Sequence, residues 1–398
     1  MTLKEGRAVI KFGGSDLSTG ERIMEAARKV IEAGYKETVV VVSAMGKTTN
    51  SLIQAVEKMK ISPQDYAEVV SMGERTSARV FCSALRALGA ESAYFDPSQE
   101  NWPIITDSSF VDAKPDMPKT QERVRKNIEP LLGKCIPVVC GFLGRDETGK
   151  ITTFARGGSD ITALLLGNCL NASEVVLVKD TTGVLSADPE MVPDAKTFET
   201  LGISEMFALS NGGAKVIRHE ALRYKLPGQK LRIASFSSKS IAEGGTEIKG
   251  HFSHDSLLVS RNDGMSAITA IGDINPKNVS ELFSAISEGA IRGISTGEKS
   301  ITVFANLPDL KGAVNKIHSL GCFKAVCSKE KIGMIGITHP RFVDSPGWVA
   351  KIADALALKG INILEVTTSK ATIDVFVEES KLKDTFETVS KAGEIFEA

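Results

Sequence analysis

The sequence lacks several features that mark particular classes of protein. Its six cysteines are scattered, with neither a CxxC pair nor the spacing of a metal site, so we expect reduced thiols in a cytoplasmic protein. The formal net charge is only −1, which argues against bulk attraction to nucleic acid or to a membrane surface. Apolar runs long enough to span a bilayer are missing, and the first residues do not have the layout of a signal peptide.

What the chain does have is length and apolar content. Its 398 residues, 42% of them hydrophobic, are enough for two or three domains. Residues 7–250 alternate short apolar strands with amphipathic helices, and the β-branched run at 37–42 is typical of a buried parallel strand. The pattern predicts an α/β fold with a mainly parallel sheet. Strands are expected at 8–12, 37–42, 135–140 and 175–178, and helices at 21–33, 50–58, 65–88 and 159–170.

The rhythm changes near residues 244–250, where we place a domain boundary. Beyond it, a strand, a helix, two strands and a helix follow one another twice, which predicts a ferredoxin-like βαββαβ unit used two times. We therefore divide the chain into a larger α/β domain at 1–250 and two small modules at 251–330 and 331–398. The expected strands are 267–271, 291–295, 300–305, 323–327, 334–338, 361–366 and 372–377, and the helices are 279–286, 310–320, 348–358 and 382–389.

Residues 9–15 read VIKFGGS, an apolar strand followed by a lysine and bare backbone. Without Cβ atoms, Gly13 and Gly14 allow amide N–H groups to approach a phosphate, and Lys11 adds a point charge. The same string is compatible with an ordinary strand end and tight turn. Taken alone it favours the turn, and a second segment decides between the two interpretations.

That second segment, residues 152–160, reads TTFARGGSD and precedes an apolar helical run. It places an arginine, two glycines, a hydroxyl and a carboxylate at a helix N-terminus, which attracts anions. Arg156 offers a guanidinium fork that matches a carboxylate bidentately, whereas Asp160 could serve only as a helix N-cap. Together the two segments suggest a phosphoryl-transfer site with an anionic acceptor.

On these residues the chain resembles the aspartate kinases of the amino acid kinase family, and the resemblance covers nearly its whole length. Six motifs stand in the family's order, namely the segments 11–15, 42–50, 72–75, 141–144, 153–160 and 213–216. The resemblance implies a three-layer amino acid kinase fold followed by two ACT modules. It also implies that ATP and Mg²⁺ are used to phosphorylate the side-chain carboxylate of L-aspartate. The product would be 4-phospho-L-aspartate, on the way to lysine, threonine and methionine.

The resemblance also assigns roles to individual residues. The catalytic residues would be Lys11, Lys215 and Asp160, whose carboxylate would orient the phosphate-binding lysines. The substrate-binding residues would be Ser43, Thr49, Glu74, Arg156, Gly157, Gly158 and Ser159. The nucleotide-binding residues would be Gly13, Gly14, Ser15, Lys179, Asp180, Leu185 and Glu190. Mg²⁺ would be held mainly by nucleotide phosphates and water, without a metal site built by the protein.

Simpler interpretations stay open at several of these positions. Glu74, the candidate for the substrate ammonium, could form a surface ion pair with an arginine of the same helix. Ser43 and Thr49 could cap or shape a turn, and Lys215 could be a solvated lysine early in a helix. Because an acceptor carboxylate is already ionised at neutral pH, no strong general base is required. The five histidines are therefore expected to be structural or exposed.

One nucleotide-binding segment departs from the family. Where many members read TDVDGVYTADPR, residues 179–190 read KDTTGVLSADPE. Lys179 replaces a threonine, Leu185 a tyrosine and Glu190 an arginine, so contacts to the nucleotide should differ. Glu190 would repel phosphate if it pointed inward, and Lys179 is a candidate to restore the lost positive charge from another direction.

Two alternatives to an aspartate kinase stay open. One is a related kinase with a different acceptor, and the other is a non-catalytic amino-acid sensor on a kinase scaffold, which the altered segment 179–190 suggests. The two small modules suggest control by an end-product amino acid, bound near the 340–348 loop and the 273–276 turn, or a purely dimerising role. A homodimer or a higher homo-oligomer is expected.

Overall fold

The computed structural model describes residues 4–155, 157–214, 216–252, 258–286, 289–339, 342, 346–369 and 371–395. The chain divides into two compact units, Met1–Phe252 and Ser253–Ala398. The further division of the second unit into modules at 251–330 and 331–398 stays a prediction.

The first unit alternates strands and helices as the sequence predicts. Its strands are β1 Lys4–Phe12, β2 Tyr35–Val42, β3 Ser92–Phe95, β4 Ile136–Cys140, β5 Leu143–Arg145, β6 Ile151–Thr153, β7 Glu174–Lys179, β8 Thr200–Gly202, β9 Lys230–Ser235 and β10 Thr246–Lys249. Its helices are α1 Gly20–Ala33, α2 Thr48–Val56, α3 Pro63–Ala87, α4 Met117–Asn127, α5 Gly158–Cys169 and α6 Ile203–Asn211.

Eight of these strands form one sheet in the order β3-β4-β2-β1-β7-β9-β10-β8. Neighbouring strands run parallel except β9 and β10, which are antiparallel. The central strands β1 and β2 end in buried runs that are apolar except for Lys11 and Thr38, as expected of strands covered on both faces. The mixed α/β fold with a mainly parallel sheet is therefore confirmed. The carboxyl ends of β1, β2 and β7 meet at one edge of this sheet, where the candidate site lies.

Local signals set the helix boundaries in this unit. Thr19 accepts a hydrogen bond from the Arg22 amide at the start of α1, and Gly34 ends that helix at a φ of +68°. Helix α3 begins at Pro63, two residues before the predicted start, because the Ser62 side chain caps it. Proline is suited to the first helical position because its missing N–H would have no partner there.

The second unit is built around one six-stranded sheet. Its strands are β11 Leu258–Gly272, β12 Ala290–Thr296, β13 Ser300–Asn306, β14 Phe323–Thr338, β15 Glu365–Ser369 and β16 Thr372–Glu378. Its helices are α7 Pro276–Ala285, α8 Leu310–Ser319, α9 Trp348–Ala357 and α10 Leu382–Ile395. The strand order is β12-β13-β11-β14-β16-β15, and every neighbouring pair is antiparallel.

The two long strands β11 and β14 join the two predicted repeats. The first part of β11, Leu258 to Asn262, pairs with the last part of β14, and the rest of β11 pairs with its first part. The predicted strands 323–327 and 334–338 are thus one continuous strand. The predicted strand 361–366 is wrong in its bounds, since β15 begins only at Glu365. Ile361 is buried in an apolar cluster, but it belongs to the loop that follows Gly360 and not to a strand. Gly360 has a φ of +64°.

The remaining observations concern cysteines and membrane insertion. All six cysteines are free: Cys82, Cys140 and Cys169 are buried, Cys135 and Cys322 are half-buried, and Cys327 is exposed. Among the helices that the structure describes, none combines the length and the apolar character needed to cross a membrane.

Candidate active site

A buried ion pair joins the two glycine-rich motifs. The Nζ atom of Lys11, near the end of β1, lies 2.8 Å from Oδ1 of Asp160 in the first turn of α5. Both side chains are 6% exposed. Burial acts to raise the pKa of Asp160, but the charges of Lys11 and Lys179 outweigh it and hold this pKa below its usual range. Asp160 is therefore an ionised carboxylate within a nearly closed site.

Lys179 contacts the same carboxylate from β7. Its Nζ atom lies 3.3 Å from Oδ2 and 3.5 Å from Oδ1 of Asp160. Burial lowers the pKa of the Lys179 ammonium, while the negative charge of Asp160 acts in the opposite direction. Two lysines thus share one aspartate.

Helix α5 is positioned by the glycines before it. Gly157 is the N-cap residue and has a φ of +82°, a conformation that side chains with a Cβ atom rarely adopt. The first turn, Gly158 to Asp160, is buried. Arg156, the predicted carboxylate-binding residue, and Lys215, the predicted second catalytic lysine, lie outside the described residues.

A hydrogen bond between two serines connects α5 to the end of β2. The hydroxyl of Ser43 donates to Oγ of Ser159 over 3.0 Å. A Cβ atom added to Gly141 would lie 2.6 Å from that same Oγ atom, so Gly141 leaves the space that Ser159 occupies. The motifs at 42–50, 141–144 and 153–160 are therefore in direct contact.

Glu74 of α3 is buried against the turn that follows β2. Its Oε1 atom accepts hydrogen bonds from the Ala44 amide and the Thr49 hydroxyl, each at 3.2 Å. Burial raises the pKa of Glu74 to about 7, against the lowering effect of those hydrogen bonds. The alternative of a surface ion pair is wrong, because Arg75 and Arg79 pair instead with the buried Asp96.

The glycine loop after β1 contains a residue that sequence reasoning missed. Asp16 is fully buried, and its Oδ2 atom accepts the Gly13 amide at 2.9 Å. That amide is therefore engaged with Asp16 in this conformation and not free for a phosphate. An aspartate three residues after a glycine is the only signal for this contact in the sequence. Burial raises the pKa of Asp16, although the Gly13 hydrogen bond and the charges of Lys11 and Arg22 act against it.

The neighbouring loop residues have different roles. A Cβ atom on Gly14 would lie 2.7 Å from the carbonyl oxygen of Gly46, so this glycine permits close packing of the two turns. The Gly46 amide donates to the Gly14 carbonyl at 2.8 Å. Ser15 is exposed, and its carbonyl accepts a hydrogen bond from Arg22 at 3.0 Å.

Only the start of the altered segment 179–190 contacts this site. Lys179 contacts Asp160, and Asp180 is exposed but close enough to Asp16 to influence its pKa. Leu185 pairs with Thr197 in an isolated bridge. Glu190 is exposed, and its amide donates to Asp188. None of the contacts described joins Leu185 or Glu190 to the lysine–aspartate group formed by Lys11, Lys179 and Asp160.

These residues form a continuous path of contacts. Glu74 accepts from Ala44, the adjacent Ser43 donates to Ser159, and Asp160 follows Ser159 and pairs with Lys11. One end of the path offers a carboxylate, the middle offers hydroxyls, and the other end offers two ammonium groups. Such a site can bind a molecule that carries both an amino group and anionic groups. Within the described part of the chain, no group of three His, Cys, Asp or Glu residues could hold a metal ion.

Comparison with known proteins identifies the family. The model of the amino acid kinase family matches residues 6–235. An aspartokinase of Bacillus sp. strain MGA3 is 30% identical over 410 residues, which covers 98% of this chain and 98% of the relative. This chain belongs to the aspartokinases of the amino acid kinase family. An aspartokinase of Mycolicibacterium smegmatis is also 30% identical, over 94% of this chain and 93% of the relative.

Solved structures share the fold of this aspartokinase family member. Aspartate kinase from Synechocystis has a TM-score of 0.72 at 24% identity, over 97% of this chain and 69% of that chain. E. coli aspartokinase III, in complex with aspartate and ADP, has a TM-score of 0.56 at 20% identity, over 96% of this chain and 99% of that chain. An ACT domain model matches residues 328–391. The earlier ACT-like module at 251–330 stays a prediction.

Proposed function

We propose that this protein transfers the γ-phosphoryl group of MgATP to the side-chain carboxylate of L-aspartate. The products would be 4-phospho-L-aspartate and ADP, the first step toward lysine, threonine and methionine. The observation that carries this proposal is the path of contacts from Glu74 through Ser43 and Ser159 to the Lys11–Asp160 pair. Relatives that match over the full length of the chain and are named aspartokinases support the same acceptor.

The chemistry asks mainly for positioning and positive charge. A carboxylate oxygen of aspartate attacks the γ-phosphorus, a new P–O bond forms, and the bond to the β–γ bridging oxygen breaks, leaving its electron pair on ADP. No proton has to move, because the acceptor is already ionised. Lys11 stabilises the developing negative charge, and Asp160 fixes the lysine by a charge-assisted hydrogen bond.

Substrate binding divides among three kinds of group. Glu74 would take the aspartate ammonium through Oε2, a buried atom that has no hydrogen-bond partner among the described residues. Arg156 would bind a substrate carboxylate through its guanidinium group. The remaining contacts would come from the hydroxyl groups and glycine backbone at Ser43, Thr49, Gly157, Gly158 and Ser159. E. coli aspartokinase III has been solved with aspartate and ADP, which is consistent with a two-substrate site of this kind.

The nucleotide would bind along the same edge of the sheet. The family resemblance assigns its contacts to Gly13, Gly14, Ser15, Lys179, Asp180, Leu185 and Glu190, with Lys215 as a further catalytic lysine. The Gly13 amide could take part only after release from Asp16. Mg²⁺ would enter with ATP, held mainly by the phosphates and water, and would neutralise part of the phosphate charge.

Regulation belongs to the same proposal. E. coli aspartokinase III has also been solved with lysine and aspartate, and an ACT domain matches the C-terminal part of this chain. We therefore expect an end-product amino acid to bind the C-terminal unit of a homodimer, near the 273–276 turn and the 340–348 loop. Residues 340, 341 and 343–345 of that loop lie outside the described residues. Assaying lysine, threonine and methionine in turn as inhibitors tests the idea, and activity unaffected by all three would contradict it.

The decisive test of the activity is a coupled ADP-release assay with ATP, Mg²⁺ and L-aspartate. The Lys11→Ala variant should lose nearly all turnover. The control is Lys225→Ala, because Lys225 is also a buried lysine but its ammonium contacts the Gly250 carbonyl, away from the site. Turnover on another acidic amino acid alone would favour the related kinase, and no binding of ATP would favour the sensor.

The six free cysteines support a reducing, cytoplasmic location.

A further inference from the structure

Lys179 occupies a position whose geometry follows from strand register. Strands β1 and β7 are parallel neighbours, and Lys11 is paired with Leu177. Paired residues of adjacent parallel strands point to the same face, and residues two apart along a strand do so too. The Lys179 side chain therefore lies on the same face of the sheet as that of Lys11, two residues further toward the carboxyl end of β7. Asp160 lies between the two ammonium groups, 2.8 Å from Lys11 and 3.3 Å from Lys179.

Two ammonium groups face the single carboxylate of Asp160. Lys11 and Asp160 form a balanced pair, which by itself presents no net charge to a ligand. Lys179, whose side chain is 18% exposed, adds a second positive charge to the same carboxylate. A second negative neighbour, Asp16, influences both lysines as well as Arg22 and accepts the Gly13 amide, and the exposed Asp180 lies near Asp16. Lys179 therefore shares its direct carboxylate partner with Lys11, and a bound anion would give it a partner of its own in this nearly closed site.

We propose that Lys179 contacts the phosphoryl group in transfer and supplies a second positive charge there, with Asp160 holding it beside Lys11. This inference rests on the proposed function and gives the substitution of lysine for the family's threonine a specific task. A threonine at this position could donate one hydroxyl but would bring no charge. As the leaving oxygen of ADP gains negative charge, a fixed ammonium nearby stabilises the transition state.

The central variant is Lys179→Met, which keeps the length of the side chain and removes the charge. We expect kcat to fall about a hundredfold, the typical loss for one preorganised donor to a developing anion. The KM for aspartate should change little, because Glu74 and the hydroxyl groups are untouched. The Tm should stay equal or rise, since the Lys11–Asp160 pair remains balanced without Lys179.

The matched control is Lys225→Met. Lys225 is 2% exposed, burial lowers its pKa as it does that of Lys179, and its ammonium donates to the Gly250 carbonyl at 2.6 Å. This variant should lower the Tm and leave kcat unchanged. If Lys179→Met behaves in the same way, Lys179 is structural and the proposal is overturned.

A pH profile separates contact with the phosphoryl group from an indirect effect. The charged groups that face Lys179 are Asp160, Lys11 and Asp16. Loss of the Lys179 proton at high pH should lower kcat/KM for ATP in the wild type. In Lys179→Arg this alkaline decline should move to higher pH, because a guanidinium group keeps its charge, and activity should exceed that of Lys179→Met. An alkaline decline at the same pH in the wild type and Lys179→Arg would refute the assignment.

Failure of the proposed function can be distinguished from failure of this inference. Binding of a non-hydrolysable ATP analogue with Mg²⁺ is measured by calorimetry, without any acceptor. If aspartate supports no turnover but Lys179→Met binds the analogue about tenfold more weakly than the wild type, the acceptor is wrong and Lys179 keeps its role. Equal binding by the wild type and Lys179→Met, or no binding by either, overturns the inference.

Discussion

Glu74 provides the most direct test of how this site recognises its substrate. Glu74 is 4% exposed, and burial raises the pKa of its carboxyl group to about 7. Only the ionised form attracts an ammonium group, so binding of aspartate must compete with binding of a proton. The perturbation we consider is Glu74→Gln, which keeps the shape and the acceptor oxygen for Ala44 and Thr49 while removing the charge.

The expected size of the effect follows from the pKa and from the burial. Below a pH of about 7 the wild-type KM for aspartate should rise, approaching tenfold for each pH unit, because binding then requires the loss of one proton. Removing one partner of a buried, hydrogen-bonded charge pair costs about 2–5 kcal/mol. In Glu74→Gln the KM should therefore be roughly thirtyfold higher or more at neutral pH, and nearly independent of pH in this range.

Stability supplies a second measurement that does not depend on the substrate. The pKa of Glu74 in the folded protein lies above the reference value of 4.5, so the folded state holds the proton more tightly than the unfolded state. The contribution is most favourable below pH 4.5 and is lost as the pH rises toward about 7. Its total size is about 3 kcal/mol. Glu74→Gln should thus be more stable than the wild type above pH 7 and equal to it in acid.

The assay is ADP release at varied aspartate concentration between about pH 6 and 8, paired with denaturant unfolding from about pH 4 to 8 so that the acid limit is included. Glu74→Ala serves as a comparison, because it also removes the acceptor for Ala44 and Thr49 and should be destabilised at every pH. A wild-type KM for aspartate that does not change with pH would refute the role of Glu74. An unchanged KM in Glu74→Gln would refute it as well.

Three further predictions concern the same two units. Asp160→Asn should leave the buried Lys11 and the half-buried Lys179 without their shared anion and cost about 3–5 kcal/mol, measured as a lower denaturant midpoint at pH 7, with loss of turnover. Asp374→Asn should stabilise the protein by about 1 kcal/mol above neutral pH and not in acid, because burial raises the pKa of Asp374 to about 6; urea unfolding at two pH values tests this. Gly157→Ala should cost about 1 kcal/mol and most of the activity, whereas Gly149→Ala, with a similar φ of +89° and open space around it, should cost stability alone.

The parts of the fold that local chemistry determines were predictable from the sequence. Helix α1 was expected at residues 21–33 and is found at Gly20–Ala33, because its cap at Thr19 and its stop at Gly34 are short-range signals. Strand β2 was expected because a continuous β-branched run has few other stable conformations. The misplaced strand at 361–366 shows the opposite case. Ile361 and Ile363 pack in an apolar cluster from a loop. Hydrophobic periodicity cannot distinguish that arrangement from a strand.

The site was predictable where it rests on motifs and unpredictable where it rests on packing. The Lys11–Asp160 contact follows from two recognisable segments and a family resemblance. The contact of Asp16 with the Gly13 amide could not be predicted, because it depends on the conformation of the turn after β1 and no motif specifies that conformation. Similarly, Arg75 looked like a partner for Glu74 on the same helix, but it pairs with Asp96, which is fully buried. The partner of a charged side chain is decided by the tertiary structure and not by separation in sequence.

The altered segment 179–190 illustrates why a departure from a family pattern has to be judged in three dimensions. In sequence, the loss of a tyrosine and an arginine suggested a degenerate nucleotide site and hence a sensor. In the structure, Leu185 and Glu190 have no described contact with the lysine–aspartate group, while Lys179 at the start of the segment contacts Asp160 directly. A protein that did not bind phosphate would have no use for a second ammonium group on a carboxylate that Lys11 already neutralises. The lysine at position 179 is therefore an argument for a working phosphoryl-transfer site and against a sensor.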